Sequence, residues 1–414
     1  MKKIKVLVLI TVMDRAGAET IMMNYLKNID REKIQMDFMI NRQGKADYES
    51  EIKKLGSKIY YISPIKPGTI IKYKKEFKQF LQKHPEYTII HSNLEERSCF
   101  PLKIAKEMGV KTRIVHAHSV PKKQGIKQLQ RIWCKKQLKG TYTHMFACSD
   151  GPAHWLYGKE TRCITMEEAV EKSDITKNKT NNDSTGGAIE NIATIEKVSE
   201  NSVVIMRNAV DTEKFVYKEN IRKQQRKNLK VSDDTLVVGH IGRLVPEKNQ
   251  LKLIEIFENV NNQRPDSRLL LIGGGKSKRE QKYKKQVQKK IKEYGLESKV
   301  QWLGVRDDID KILHAIDVLV MPSTSEGFPV TLVEAQALGT REVVSDVIDY
   351  KVNVTEELQY QALDGDVEDW ANKIISFSHT TLDREKMHQM VKDKGFDIKD
   401  NAKQLEAFYE SCAK

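Results

Sequence analysis

A chain of 414 residues, 39% hydrophobic and 31% charged, has the make-up of a soluble globular protein and, at roughly 150 residues per domain, holds two or three cores. No apolar run approaches the roughly 20 residues that span a bilayer, and five scattered cysteines without a CxxC pair argue against a disulfide framework or a zinc site, which fits a cytoplasmic setting. The net charge of +14 asks for anionic partners, whether nucleotide phosphates, lipid head groups or nucleic acid, and does not choose among them.

The opening MKKIKVLVLITVMD has a basic start and a short apolar stretch, but Asp14 and Arg15 close it without a small-residue cleavage site, so it reads as a first buried strand. Further β-branched runs follow, QMDFMIN, KIYYIS, YTIIHSN, TRIVHAHS and THMFACSD, alternating with helical patterns such as ETIMMNYLKNI and RSCFPLKIAKEMG. That rhythm predicts a parallel sheet with helices on both faces. Residues 161–199 lose the periodicity and fill with polar residues and glycine, which predicts a flexible insertion. SVVIMRNAVD then reads as the last strand of a first domain ending at 209, before a second domain over 210–390 in which TLVVGHIG, RLLLIGG, KVQWLG, DVLVMPS and EVVSDV repeat the alternation. Residues 391–414 read as a C-terminal helix returning to the first domain. The expected class is α/β, two doubly wound Rossmann-like domains in tandem.

In such sheets ligands bind beyond the carboxyl ends of the strands. There the second domain carries Gly242-Arg243-Leu244-Val245-Pro246-Glu247-Lys248-Asn249, two cations in one loop that suit phosphates. Most exposed Arg and Lys are merely solvated, so this loop alone is a weak signal. MPSTSEGFPVTLVEAQALG is stronger. Pro329 falls where a first helical turn should begin, leaving the backbone N–H groups of Gly327 and Phe328 as an anion site. Glu334 lies in an otherwise apolar helix, where a carboxylate is costly without a ligand hydroxyl or a cation. Glu326 and Glu334 stand eight positions apart, one in the loop and one in the helix, and are expected to face one crevice.

This E-x7-E pattern with its EGFP and EAxALG surroundings resembles the family 4 glycosyltransferases, whose GT-B fold faces two Rossmann-like domains across a cleft. DRAGAETIMMN, VHAHS, RNAVDTEKF, GRLVPEKN and WLGVRDDI match the family's glycine-rich first loop, histidine motif, hinge, phosphate-binding loop and base-binding turn in the same order. The resemblance implies a retaining, metal-independent transfer of a hexose or N-acetylhexosamine from a nucleotide sugar, by family preference UDP-linked, to a polysaccharide or lipid-linked glycan, as in bacterial capsule and exopolysaccharide synthesis. It implies that Arg243 and Lys248 bind the donor diphosphate and that Glu334 holds the ribose. Glu326, with the backbone of Gly327 and Phe328, would hold the transferred sugar. The backbone at Val305 would meet the base, Gly17 would let its loop approach the phosphates, and His118 would touch the sugar near the reacting carbon. No cofactor and no metal are implied. Two departures stand out, Ala16 for the first glycine of the usual pair and Arg341-Glu342 where the family usually has a proline.

Plainer readings compete at several positions. His116 and His118 alternate on one strand, so both point to one side, and His91 reads as structural. Gly273-Gly274-Gly275 is an incomplete dinucleotide fingerprint and reads as a tight turn near the donor. Asp308 and Asp310 form a D-x-D that elsewhere holds a metal but here reads as helix N-cap residues. The run KSKREQKYKKQVQKKIK reads as a solvated face. PKKQGIKQLQRIWCKKQLKG interleaves cations with Ile126, Leu129, Ile132 and Trp133, which suits either a core-facing helix or an interfacial one. In the interfacial reading Lys122, Lys123, Lys127, Arg131, Lys135 and Lys136 meet anionic lipid at the inner face of the membrane. The rival functions are a catalytically weak sugar-nucleotide-binding partner of another transferase and a nucleic-acid-binding protein. The first is disfavoured because Arg243, Lys248, Glu326 and Glu334 are all present. The second is disfavoured because the basic residues are dispersed and no recognition motif with interleaved aromatics occurs.

Overall fold

The computed structural model describes residues 3–15, 17–42, 44, 46–121, 125–171, 202–275 and 277–413, with backbone only at 125–127. It divides into two compact units, residues 1–208 with 398–414, and residues 209–397. The C-terminal segment that belongs to the first unit therefore starts at 398, later than the expected 391.

In the first unit the strands are β1 (Ile4–Ile10), β2 (Ile34–Ile40), β3 (Ile59–Tyr61), β4 (Ile89–Ser92), β5 (Thr112–Ala117), β6 (His144–Ala147), β7 (Arg162–Ile164) and β8 (Ser202–Ile205). The helices between them are α1 (Gly17–Asn28), α2 (Glu49–Lys54), α3 (Ile70–Lys83), α4 (Cys99–Glu107), α5 (Gly125–Leu138) and α6 (Asp150–Tyr157). All strand pairs are parallel, in the order β3-β2-β1-β4-β5-β6-β8-β7. The strands read as continuous apolar runs because helices cover both faces: Leu7, Leu9, Ile90, Val115 and Ala147 are buried in one core with Phe77 and Leu102 from the helices. A C-terminal helix (Ile398–Ala413) lies on this sheet, where Phe408 meets Phe146 edge to face at 5.0 Å and the Tyr409 hydroxyl reaches His91 Nδ1 at 2.7 Å.

Order extends further into the expected insertion than its composition suggested. Arg162–Ile164 pairs with β8 and residues 166–171 are helical, with Met166 buried. Apolar Cys163, Ile164 and Met166 explain why. The remainder of the expected insertion lies outside the described residues.

The second unit contains α7 (Glu219–Leu229), β9 (Leu236–Ile241), α8 (Gln250–Gln263), β10 (Ser267–Ile272), α9 (Lys278–Glu293), β11 (Val300–Gly304), α10 (Ile309–Ile312), β12 (Val318–Met321), α11 (Val330–Leu338), β13 (Arg341–Ser345), β14 (Gln359–Gln361), α12 (Val367–Ser378) and α13 (Arg384–Asp393). Its parallel sheet runs β11-β10-β9-β12-β13-β14. The order reverses between β9 and β12, so the loops leaving these two strands splay apart and leave a crevice at their carboxyl ends. Buried Arg226 braces the unit, donating to the carbonyls of Ser232 and Ala315 and pairing with Asp317 at 3.2 Å. The buried Trp370 indole donates to Ala362 O at 2.9 Å.

Candidate functional site

At the crevice of the second unit three strand ends stack closely. Gly242 N donates to Ile272 O at 2.9 Å and Gly273 N to Gly304 O at 2.7 Å. Gly273 has φ +123°, and a Cβ there would stand 2.0 Å from Gly242 O, so only glycine lets the loops after β9 and β10 meet. The loop after β9 ends in a short turn, Pro246–Lys248, and Thr324 N from the β12 loop donates to Glu247 O at 2.8 Å. That link aligns the two loops, and Lys248 Nζ donates to Glu326 Oε1 at 2.7 Å with side chains only 18% and 11% exposed. Arg243 on the same loop is exposed, and among the described residues its guanidinium has no hydrogen-bond or ionic partner.

Beneath them sits buried His240, which the sequence reading missed. Its Nδ1 donates to Val320 O at 2.9 Å, and its Nε2 accepts from Gln250 Nε2 at 3.1 Å. Burial is the main force holding this imidazole down to about 4, so it stays neutral beneath Lys248. Gln250 also donates to Arg243 O at 2.9 Å, fixing the loop's course. The available signal was a histidine and a glutamine at apolar positions of the pattern.

Among the other expected contacts, the N-terminus of α11 and the cap of α10 are arranged differently from the sequence reading. Helix α11 begins at Val330, after Pro329 with ψ 110°, so Gly327 and Phe328 belong to the loop ahead of it and are not part of its first turn. The Phe328 ring stacks on Phe396 at 5.6 Å. Glu334 lies within α11, half-buried, and its carboxylate has no hydrogen-bond partner among the described residues. Loss of solvation, aided by the charge of Asp310 and opposed by Lys214, pushes its carboxyl up to about 7. The two acids thus have separate neighbours, Lys248 for Glu326 and the field of Asp310 and Lys214 for Glu334. Exposed Val305 follows Gly304, and its Cγ2 would stand 3.0 Å from a Cβ on Gly274. Asp308 takes the N-cap position of α10 but does not cap it: its carboxylate accepts two bonds from Arg306, at 2.9 and 2.7 Å. The Asp310 carbonyl accepts from His314 Nδ1.

In the first unit the loops after β4 and β5 carry the histidine motif. His118 Nε2 lies 2.7 Å from Asn93 Oδ1, and its backbone N donates to Glu95 Oε1 at 3.0 Å. The ring lies against His116, with centroids 4.0 Å apart and planes tilted by 30°, and His116 Nδ1 lies 3.0 Å from His91 Nε2. His91 is thus enclosed between His116 and Tyr409, a structural place. Burial holds His91 down to about 3 and His118 to about 4. Glu95 has φ +53°, and loss of solvation pushes its carboxyl up to about 8. Asn93 and Glu95 were not singled out from sequence; their only signal is a pair of polar residues directly after an apolar strand. Gly17 opens α1 with no atom within 4 Å of where a Cβ would stand, and Ala16 lies outside the described residues.

On α5, Leu129, Ile132 and Trp133 are 69%, 43% and 51% exposed, which corrects the core-facing reading. Of the cations, Lys122 and Lys123 and the side chains of Lys127 and Ile126 lie outside the described residues. Arg131 pairs with Glu96 at 3.7 Å, and Lys135 donates to Trp155 O and lies 4.8 Å over the Trp155 ring, so these two are engaged within the unit. No helix among the described residues is long and apolar enough to cross a membrane.

Comparison with known proteins bears on these arrangements. Residues 221–394 match the family described as glycosyl transferases group 1. The EpsF protein of Bacillus subtilis, named as a glycosyltransferase, is 25% identical over 352 residues, 84% of this chain and 81% of that protein. An Escherichia coli UDP-Gal:alpha-D-GlcNAc-diphosphoundecaprenol alpha-1,3-galactosyltransferase is 35% identical over 147 residues, 35% of this chain and 37% of that enzyme. Among solved structures, HepE of Anabaena in complex with UDP and glucose superposes with a TM-score of 0.71 at 18% identity, covering 97% of this chain and 98% of its own. WaaG, a glycosyltransferase involved in lipopolysaccharide biosynthesis, gives 0.65 at 13% identity, covering 98% and 99%.

Proposed function

Since the chain belongs to the family 4 glycosyltransferases with their GT-B fold, we propose that it transfers a hexose or N-acetylhexosamine from a UDP-linked donor to a polysaccharide or lipid-linked glycan, with retention and without a metal. The observation that carries this reading is the crevice at β9 and β12, where Arg243, without a side-chain partner among the described residues, stands on one loop with Lys248, and Lys248 meets Glu326 of the other. A diphosphate entering there takes Arg243 directly and draws Lys248 from Glu326, freeing that carboxylate for sugar hydroxyls. Both cations then offset the charge that grows on the departing nucleotide, the role a metal plays elsewhere. Glu334, with open acceptor capacity, suits ribose hydroxyls, and the backbone at Val305 suits the base. Gly327 and Phe328 serve through the loop backbone, Gly17 by leaving space for phosphates, and His118 as a polar contact to the sugar.

Two relatives support the finer points. HepE was solved with UDP and glucose, and the Escherichia coli relative is named for a UDP-Gal donor and a diphosphoundecaprenol-linked acceptor. Peripheral docking of α5 on an anionic membrane at the cytoplasmic face fits such an acceptor, as does the exopolysaccharide assembly that the sequence motifs imply. A panel of UDP-hexoses and UDP-N-acetylhexosamines, offered with diphospholipid-linked sugar acceptors, tests the proposal. The anomeric configuration of any product is read by NMR. An α-linked product from an α-linked donor is expected, and a β-linked product contradicts retention.

A further inference from the structure

We propose that Asn93 is a positioning residue that holds the His118 imidazole in its Nε2–H tautomer, so that Nδ1 is offered as an acceptor to a hydroxyl of the bound sugar. The proposal rests on the reading of His118 as a sugar contact. Strands β4 and β5 are hydrogen-bonded neighbours, with His91 beside Ile114 and Ser92 beside Val115, so Asn93 and His118 emerge side by side just beyond them. Asn93 N donates to Leu9 O at 2.8 Å, which ties it to β1 as well. Its amide nitrogen faces His91 O at 3.4 Å, and this orients the carbonyl oxygen Oδ1 toward His118 Nε2 at 2.7 Å. An amide oxygen carries no proton, so the proton in that short bond belongs to Nε2.

The ring is held on its other sides. His116 covers one face at 4.0 Å, Glu95 Oε1 accepts from the His118 backbone N, and the His118 carbonyl accepts from Cys148 Sγ at 3.4 Å. Burial keeps a second proton off the ring, which leaves Nδ1 bare. His116 Nε2 is enclosed without a partner, whereas Nδ1 of His118 is not among the enclosed unpartnered atoms and has no partner among the described residues. It is therefore the open polar edge of this histidine pair. A bare ring nitrogen accepts and does not donate. It welcomes a hydroxyl or an amide N–H and disfavours phosphate or carboxylate oxygen. The sugar group that meets His118 is therefore a hydrogen-bond donor, which we assign as a hydroxyl, and a carboxylate oxygen at that place is selected against.

The test is two-bond proton–nitrogen NMR of full-length protein labelled with 15N-histidine, with His118→Gln to assign the resonance. Wild type is expected to show the Nε2–H pattern for His118. Asn93→Ala is expected to give a tautomer mixture, and Asn93→Asp, which keeps an acceptor oxygen, to restore Nε2–H. In parallel, kcat/KM for the UDP-sugar that proves to be the donor is expected to fall at least tenfold in Asn93→Ala, with the resonances of His91 and His116 unmoved. An Nδ1–H pattern in wild type, or an unchanged pattern in Asn93→Ala, overturns the proposal. Absence of transfer by wild type with the Nε2–H pattern intact counts instead against the glycosyltransferase assignment of the site.

Discussion

Arg243 and Lys248 share a loop but differ in what each does for the unliganded unit. Arg243 is exposed and without a partner among the described residues, so Arg243→Ala should leave the melting temperature unchanged. It should still weaken UDP binding by roughly 1.5–3 kcal/mol, the range for hydrogen bonds to charged groups. Lys248→Ala strands Glu326, which is largely buried, and should lower both affinity and melting temperature. Calorimetry and thermal melts on the two variants check the contrast; equal melting temperatures for Lys248→Ala and wild type would contradict it. For Glu334 the folded-state carboxyl, at about 7, lies above its unfolded value. Its stabilising contribution is therefore fully present below the unfolded pKa and is lost as pH rises through about 7, where ionisation in place becomes costly. Glu334→Gln should flatten that loss, and calorimetry at pH 8 should show its UDP affinity weakened by roughly 1.5–3 kcal/mol. Unchanged affinity removes Glu334 from the donor site. The loop cations and Glu326 were legible in the sequence because one short motif carries each. The histidine chain was not, because Tyr409 joins His91 from 318 positions away and no local pattern encodes that pairing.

At the scale of elements, β13 and α5 each break the inside-apolar rule. Glu342 on β13 is buried, its carboxylate oxygens lie outside hydrogen-bond geometry among the described residues, and loss of solvation, opposed only by the Gln336 side chain, holds its carboxyl well above the usual carboxylate range. A group so raised costs the fold progressively as pH climbs from the unfolded value. Glu342→Val, similar in volume and suited to a strand, should raise the melting temperature, and by more at pH 8 than at pH 5. A lower melting temperature at both pH values would show that the buried acid has a partner. On α5 the exposed Leu129, Ile132 and Trp133, with Lys136 exposed beside them, form the surface that the proposed membrane docking would use. Changing the three apolar residues to Ser should reduce co-sedimentation with anionic liposomes, and raised salt should reduce it further. Equal pelleting across a salt series rules out docking through α5. Strand and helix positions were legible from periodicity, but which face of α5 is covered was not, because cations and apolar groups alternate on it. β7 was hidden for a different reason: three residues beside a polar stretch give no period to detect.

For the whole molecule, the same strand order appears twice, 3-2-1-4-5-6 in the second unit and the same six followed by β8 and β7 in the first. Alternating β-branched runs and helical patterns carried that architecture openly, because a parallel sheet demands both. The net charge of +14 carried less, since Arg131, Lys135, Arg226 and Lys248 turn out to serve internal partners. The central claim is that this chain consumes a nucleotide sugar using positive charge supplied by its own residues. It is met most directly by measuring UDP release from a UDP-sugar panel with a diphospholipid-linked glycan acceptor, in the presence of EDTA, for wild type and an Arg243→Ala, Lys248→Ala double variant. The account predicts sustained release by wild type, undiminished by the chelator, and at least a hundredfold less by the double variant. Release that stops with EDTA and returns with Mn²⁺, or a double variant as fast as wild type, would contradict it.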